Sequence, residues 1–400
     1  MVHTGWVRDS DDVNNDVTEH KKDSQNCAKV VACKMTKKLK EPLMCDLRAL
    51  SNNEIASIVH KTDEGRAAFL KPVSEFTTEQ VRSVTPLTWL QHLACVLFLT
   101  FGVPTGVFTI PVLLYVIGKL IVGNVTQTYV VFAVFVLLPL GILPQKFVPS
   151  ILQSWLAIGI LKYFSFTMIM EHDLDASQAR IIVAPPHGVF PYGNIMAVIE
   201  WPLMFKDQLR GLASSTALMA PIMKQIMRSI GITDASRSNA RRLLENGESL
   251  GIPTGGVAEV FETGANDECI ILKNRKGLVK LAIRTGVELV PCYVFGNTKV
   301  LGCWGGEGLP FGGKSLLRHI SRKIGLALVI IYGRFGLPIP RRVPLMAVGG
   351  EPIPTKHIQC EDPSPELVDE VQAKLLKSME TVFDKYKGLY GWENKRLIIK

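Results

Sequence analysis

The chain has no Cys-x-x-Cys pair, no Gly-x-Ser-x-Gly turn and no signal-peptide pattern. Each absence removes a class of protein. The eight cysteines stand apart, at 27, 33, 45, 95, 269, 292, 303 and 360, which argues against a zinc ribbon or a disulfide scaffold and reads as reduced thiols on a cytosolic face. Without Gly-x-Ser-x-Gly there is no nucleophile elbow for a serine-bound covalent intermediate. The first 60 residues lack the apolar core and cleavage site of a secretory leader. Acidic residues are the scarcer charge, 36 Asp and Glu against 45 Lys and Arg, for a net charge of +9. A basic balance suits nucleic acid, anionic headgroups or an anionic co-substrate. No zinc-finger spacing and no basic helix with interleaved aromatics is present, so nucleic acid is not expected as a partner.

What is abundant is apolar. The 400 residues are 47% hydrophobic and 20% charged, with a mean hydropathy of +0.21. These values fit a membrane-attached protein better than a freely soluble one. Three parts are expected: a polar, mostly disordered N-terminus over 1–60, with a short helix over 46–58; a membrane hairpin over 85–147; and a domain of alternating strands and helices over 150–395. Leu93 to Ile117 carries no charge and is long enough for a hydrocarbon core of ~30 Å. Pro104 and Pro111 kink it, which membrane helices tolerate. A second apolar run covers Thr128 to Leu143. It is short for a full span, so the hairpin either crosses twice or dips in. Arg66, Lys71 and Arg82 precede the hairpin, Lys146 and Lys162 follow it, and the turn holds only Lys119. Both ends, with the following domain, are therefore expected in the cytosol.

Residues 150–172 read as an amphipathic interfacial helix anchored by Trp155, Tyr163, Phe164 and Phe166. Beyond it, strands are expected at Arg180–Ala184, Ser249–Pro253, Leu289–Phe295, Ala327–Tyr332 and Met346–Val348. Helices are expected at Ile195–Phe205, Ser214–Ile230, Arg237–Glu245, Lys276–Thr285 and Glu366–Lys387. Such alternation indicates an α/β fold with a central sheet flanked by helices.

Two turns carry candidate chemistry. Ile181-Ile182-Val183-Ala184 leads into Pro185-Pro186-His187-Gly188. The prolines stiffen the turn and Gly188 allows close backbone approach. That places His187 at the C-terminal edge of a strand, where α/β sheets bind ligands. A neutral imidazole there can take a proton from an alcohol. Asn194 is a candidate helix N-cap, and the helix it opens offers amide donors to an oxyanion. Further on, Gly255-Gly256-Val257-Ala258-Glu259 combines a flexible turn with the one carboxylate of the apolar stretch 252–261. Glu259 is expected to orient the histidine or balance its charge. Lys276, Lys280 and Arg284 form one stripe of a helix, and Arg237, Arg241 and Arg242 a second cluster. With Arg275 they suit the phosphates of coenzyme A or an anionic bilayer.

The Pro-His-Gly turn, Gly-Gly-Val-Ala-Glu, Arg275-Lys276-Gly277-Leu278-Val279-Lys280-Leu281-Ala282 and Leu289-Val290-Pro291-Cys292-Tyr293-Val294-Phe295-Gly296 occur in order. Together they resemble the type 2 diacylglycerol acyltransferase family, with its monoacylglycerol acyltransferase and wax synthase relatives, over roughly residues 85–395. The wording Pro-Pro-His-Gly-Val-Phe-Pro-Tyr-Gly looks most like algal or protist members. The resemblance implies a mixed sheet of the glycerophosphate-acyltransferase kind and acyl transfer from acyl-CoA to the hydroxyl of diacylglycerol. It places that activity at the endoplasmic reticulum membrane and on lipid droplets, with no metal or cofactor. It implies His187 as catalytic base and Glu259 as its carboxylate partner. Pro186, Gly188, Asn194, Gly255, Gly256, Arg275, Lys276 and Lys280 are expected around the substrates.

Two departures matter. Animal members have a histidine where Pro185 stands, so that first histidine is dispensable if this chain is active. The family's C-terminal helix usually has a histidine at the position of Gln372. Glycerophosphate acyltransferases use His-x4-Asp and an arginine in their glycine turn. Here Tyr192 replaces that aspartate and the glycine turn has no cation, which favours a neutral acceptor. Monoacylglycerol or a long-chain alcohol remains an alternative acceptor, and an inactive lipid-droplet or membrane binding protein an alternative role. Oligomeric state is not legible.

Overall fold

The computed structural model describes residues 37–48, 50, 70–102, 119, 146–174, 177–205, 209–219, 221–262, 267–304, 313–324, 327 and 329–400. Strand β4, Arg180–Val183, is an inner strand of its main sheet and is buried along its whole length. A parallel inner strand is covered on both faces, so it reads as an unbroken apolar run. β4 pairs in parallel with β7 (Ser249–Ile252) on one side and β9 (Glu288–Phe295) on the other. Its side chains alternate: Ile181 and Val183 enter one core, Ile182 and Ala184 the other.

The remaining strands of this sheet are β1 (Lys37–Asp46), β2 (Leu70–Pro72), β3 (Thr167–Asp173), β5 (Leu209–Ala213), β6 (Ile232–Asp234) and β12 (Met346–Gly349). The order is β2-β1-β3-β12-β9-β4-β7-β5-β6. The run from β9 to β6 is parallel, whereas β12 lies antiparallel to β9 and parallel to β3. The sheet is thus mixed, as the sequence indicates. After β4 the chain travels outward to β5, and β9 later returns on the opposite side of β4. That change of direction makes the C-terminal ends of β4 and β9 a topological switch point, where open α/β sheets bind their ligands.

Helices cover both faces. α6 (Arg237–Glu245), α8 (Gly277–Thr285) and α11 (Pro365–Tyr386) pack on the Ile181 side. α11 does so through Val368, Val371, Leu375, Met379, Val382 and Phe383, a stripe of helical period. Ser364 caps it by accepting from Leu367 N–H, and Pro365 sits at its first turn. The other face holds α3 (Trp155–Tyr163), α4 (Tyr192–Met204) and α5 (Pro221–Ser229), with α2 (Trp89–Leu97) packed outside α3. A short helix α1 (Thr78–Arg82) precedes α2.

Several expectations need correction. Residues 150–172 are not one interfacial helix. A 3-10 turn at Pro149–Gln153, α3 and β3 divide them, and Ser165 turns the chain at φ 45°. Tyr163, Phe164 and Phe166 are core residues, and only Trp155 stays out, at 44% exposure. The physical reason is that Phe166–Met170 is apolar except for Thr167 and has no 3.6-residue period, so an inner strand buries it better than a one-sided helix. The helix expected over Ser214–Ile230 breaks into a 3-10 turn, Ala217–Met219, and α5. Pro221 lacks an amide donor and so begins a helix rather than continuing one. The strand expected over Ala327–Tyr332 shrinks to β11 (Ile330–Tyr332), which pairs with β10 (Gly302–Trp304) outside the main sheet. Asp46, expected to open a helix, closes β1 instead. Strands β1, β2, β5 and β6 were not expected, nor were β8 (Glu268–Ile270) and β13 (Leu397–Ile399), which pair in parallel.

Of the expected hairpin over 85–147, residues 103–118 and 120–145 lie outside the described residues. So do residues 1–36 and 51–69 of the N-terminal region. Among the described residues no helix is long and apolar enough to cross a membrane.

Candidate active site

Four residues after β4 the chain reaches His187. The Pro185–Pro186 bond is cis, and Gly188 follows at φ +62°. The ring is oriented by its own turn: Nδ1 lies 2.9 Å from the carbonyl oxygen of Gly188. A carbonyl only accepts, so Nδ1 carries the hydrogen and donates it. The lone pair of the neutral ring is then on Nε2. Burial pushes the imidazole below its usual 6.5, against the Gly188 carbonyl, which favours the protonated ring. The ring is therefore neutral at pH 7 and its free nitrogen is basic.

The second turn closes on the first. α7, Val257–Val260, follows Gly256, whose φ of 53° and ψ of −147° suit glycine alone. Glu259 on this helix is 1% exposed. Its Oε2 accepts from the backbone N–H of His187 at 2.6 Å, and its Oε1 from the N–H of Ile271 at 2.8 Å. Burial pushes its carboxyl up to about 7, while the amides of Ile271 and His187 and the charge of Arg275 act in the opposite direction. Glu259 thus contacts the histidine through the backbone N–H of residue 187, while the ring itself bonds to Gly188. Gly255 leaves room for that carboxylate, since a Cβ there would sit 1.7 Å from Cδ of Glu259. Gln372, buried on α11, donates from Nε2 to the carbonyl of Leu272, next to Ile271, at 2.8 Å.

Asn194 is not an N-cap. α4 begins at Tyr192 behind Pro191, so Asn194 lies inside the first turn, where its amide donates to the carbonyl of Ala184 at 2.6 Å. It ties α4 to the end of β4. The expected capping pattern fails because Pro191 already fixes the helix start.

One residue went unrecognised in the sequence. Asn297 opens α9, Asn297–Val300, at the C-terminal end of β9 and is buried. Its Nδ2 donates to the carbonyls of Pro186 at 2.9 Å and His187 at 2.8 Å, and its Oδ1 accepts from Gly193 N–H at 3.0 Å. The signal that points to it is positional: β9 is parallel to β4, so the residue after β9 comes out beside His187. Replacing Asn297 with alanine is expected to lower stability by on the order of 3 kcal/mol, because three backbone groups lose their partner. A fall of several degrees in the thermal midpoint checks this, and an unchanged midpoint contradicts the clamp.

The predicted residues therefore separate into two groups. Pro186, His187, Gly188, Asn194, Gly255, Gly256 and Glu259 come together at the ends of β4 and β7. The basic stripe does not join them as a free cationic face. Lys276 pairs with Asp369 of α11, Arg284 lies 3.9 Å from Asp362 and donates to the carbonyl of Glu361, and Arg241 pairs with Glu361 and Glu245. Lys280 is exposed on α8. Arg275 is exposed too, yet near enough for its charge to reach Glu259. The amides of Gly188, Gly255 and Gly256 have no hydrogen-bond acceptor among the described residues. A general base, spare amide donors and a rigid turn at a sheet edge fit acyl transfer to a hydroxyl.

A family model described as diacylglycerol acyltransferase matches residues 147–400. The chain is 29% identical over 255 residues to acyl-CoA wax alcohol acyltransferase 1 of Mus musculus, covering 60% of this chain and 76% of that protein. It is 31% identical over 257 residues to diacylglycerol O-acyltransferase 2 of Danio rerio, covering 59% and 69% respectively. Among solved structures, the 1-acyl-sn-glycerophosphate acyltransferase of Thermotoga maritima aligns with a TM-score of 0.33 at 14% identity, over 72% of this chain and 93% of that one.

Proposed function

The chain belongs to the diacylglycerol acyltransferase family, and from that premise we propose how the His187 turn serves the reaction. The activity is acyl-CoA-dependent transfer of a fatty acyl group to the free hydroxyl of diacylglycerol, giving triacylglycerol. His187 Nε2 takes the hydroxyl proton as the oxygen attacks the thioester carbonyl. The new C–O bond gives a tetrahedral oxyanion, which the free amides of Gly188 or of Gly255 and Gly256 stabilise. Collapse breaks the C–S bond, and the imidazolium returns its proton to the coenzyme A sulfur. Atoms and charge balance without a covalent acyl-enzyme.

The observation that carries this reading is the hydrogen bond from His187 Nδ1 to Gly188, which leaves Nε2 as the basic atom. Glu259 is a positioning residue in this scheme. It fixes the amide of residue 187 and so the position of the turn that carries the imidazole. The glycine turn offers no cation to a phosphate, which favours a neutral acceptor. The similarity to a wax alcohol acyltransferase supports a long-chain alcohol as the second acceptor reading. We place the enzyme at the endoplasmic reticulum membrane and lipid droplets. The length of the uncharged run from Leu93 to Ile117 supports a seat at the bilayer, and the basic residues on its flanks support a cytosolic catalytic domain.

The test uses microsomes from cells lacking their own triacylglycerol synthesis, with labelled oleoyl-CoA and diacylglycerol, monoacylglycerol or hexadecanol. Labelled triacylglycerol is the expected product. A labelled wax ester alone would move the acceptor, and no product from well-expressed protein would favour a binding role.

A further inference from the structure

Among the described residues, many of the large apolar side chains left in solvent fall on two segments far apart in sequence. α2 exposes Trp89, Leu90, Leu93 and Leu97, with Trp89 at 77%. The turn after β11 exposes Phe335, at 84%, and Leu337. The two segments meet. His92, Leu93 and Val96 line one shallow cleft of about 210 Å³ with Arg334, Phe335 and Ile339. Arg334 Nη1 lies 3.3 Å from His92 Nε2.

The turn is built to hold Phe335 outward. Gly333 N–H donates to Leu337 O at 2.6 Å, Arg334 N–H to Ile339 O at 2.8 Å, and Leu337 N–H to Arg334 O at 3.0 Å. Phe335 sits at φ 58°, a left-handed conformation that an aromatic residue rarely adopts. Folding gains almost nothing from a strained aromatic that stays in water, so a partner is the reason to keep one there.

Three observations choose a lipid bilayer as that partner. The uncharged run from Leu93 to Ile117 begins within α2. No Asp or Glu occurs from Thr85 to Gly102 or from Val329 to Gly350, while Arg334 and Arg341 stand on the second segment. Exposed Trp and Phe backed by arginine is the composition of an interfacial surface facing anionic headgroups.

We propose that the outer face of α2 and the Phe335–Leu337 tip form one membrane-docking surface that seats the catalytic domain at the headgroup boundary. The surface is coupled to the site. Tyr192, at the start of α4, donates from its hydroxyl to the carbonyl of Leu99, just past α2, at 3.1 Å. Phe190 of the His187 turn packs on the Tyr192 ring at 4.8 Å. Docking would thus hold the His187 turn close to where a neutral lipid hydroxyl and an acyl chain reside. This role rests on the acyltransferase reading, whereas the docking itself does not.

The experiment places p-benzoylphenylalanine at 335, and separately at 337, in the full chain in microsomes. Position 380, exposed on α11 across the sheet, is the control. Irradiation is expected to join phospholipid to 335 and 337 and not to 380. Crosslinks instead to residues 103–145 of the same chain, or to a second copy, or equal lipid labelling at 380, would overturn the proposal. A Phe335→Ser, Leu337→Ser variant adds a kinetic arm. Its KM for diacylglycerol as mole fraction in vesicles is expected to rise roughly tenfold or more. Its kcat and its activity on detergent-dispersed substrate are expected to stay the same. An unchanged KM overturns the proposal. Lipid crosslinking without acyl transfer by the wild type would leave the docking surface standing and remove the acyltransferase reading alone.

Discussion

Replacing His187 with alanine is expected to lower triacylglycerol formation by about 10²- to 10⁴-fold at neutral pH, the range lost with a general base. The fold is expected to survive. Glu259 holds the backbone N–H of residue 187, and Asn297 holds its carbonyl. Both bonds are available to alanine. The imidazole itself contributes one hydrogen bond, to Gly188, worth about 1 kcal/mol. The variant should therefore melt close to wild type while losing activity. Thermal unfolding and labelled oleoyl-CoA turnover on one preparation separate the two effects. An alanine variant with wild-type turnover would remove His187 from the chemistry.

Gly255→Ala is expected to do comparable damage by a different route. The added Cβ would overlap the Glu259 carboxyl at 1.7 Å, so the glutamate must leave its position. Its departure strands two amide donors, those of His187 and Ile271, at ~1–3 kcal/mol each. Overpacking adds a further ~1–3 kcal/mol. Expected readouts are a strong fall in thermal midpoint and turnover reduced at least a hundredfold. Glu259→Ala removes the clash partner, so the double variant Gly255→Ala, Glu259→Ala should be no worse than Glu259→Ala alone. Additive losses would show that Gly255 acts through something other than Glu259.

The inner architecture was legible because its pattern is strong. Arg180–Val183 and Leu289–Phe295 are apolar runs of strand length, and α11 carries a clean helical stripe between a serine cap and Gly388. The site was legible where rare residue types punctuate the chain, as at Pro186-His187-Gly188 and Gly255-Gly256. What failed was non-local. Nothing near Asn297 announces that it lies beside Pro186, because only the pairing of β9 with β4 brings them together. Nor does Glu259 announce that it grips an amide rather than a ring, since both roles need the same residue at the same place. The pairing of the basic stripe at the start of and along α8 was not legible, because its counter-charges, Asp369 and Asp362, lie far downstream in the chain. The segment 150–172 misled because dense aromatics suit a core as well as an interface.

The pH dependence of triacylglycerol formation separates the two titrating groups of the site most directly. Rates with oleoyl-CoA and diacylglycerol would be measured between about pH 5 and 8.5 for wild type and Glu259→Gln. Burial lowers the His187 imidazole from its usual 6.5, and its neutral form is the active one in the proposed scheme. The rate should rise as pH climbs through a single limb below 6.5 and then stay flat, and Glu259→Gln should keep that limb. A limb near 7 that vanishes in Glu259→Gln would instead make Glu259, whose carboxyl is pushed up to about 7, the base, and would contradict the role given to His187.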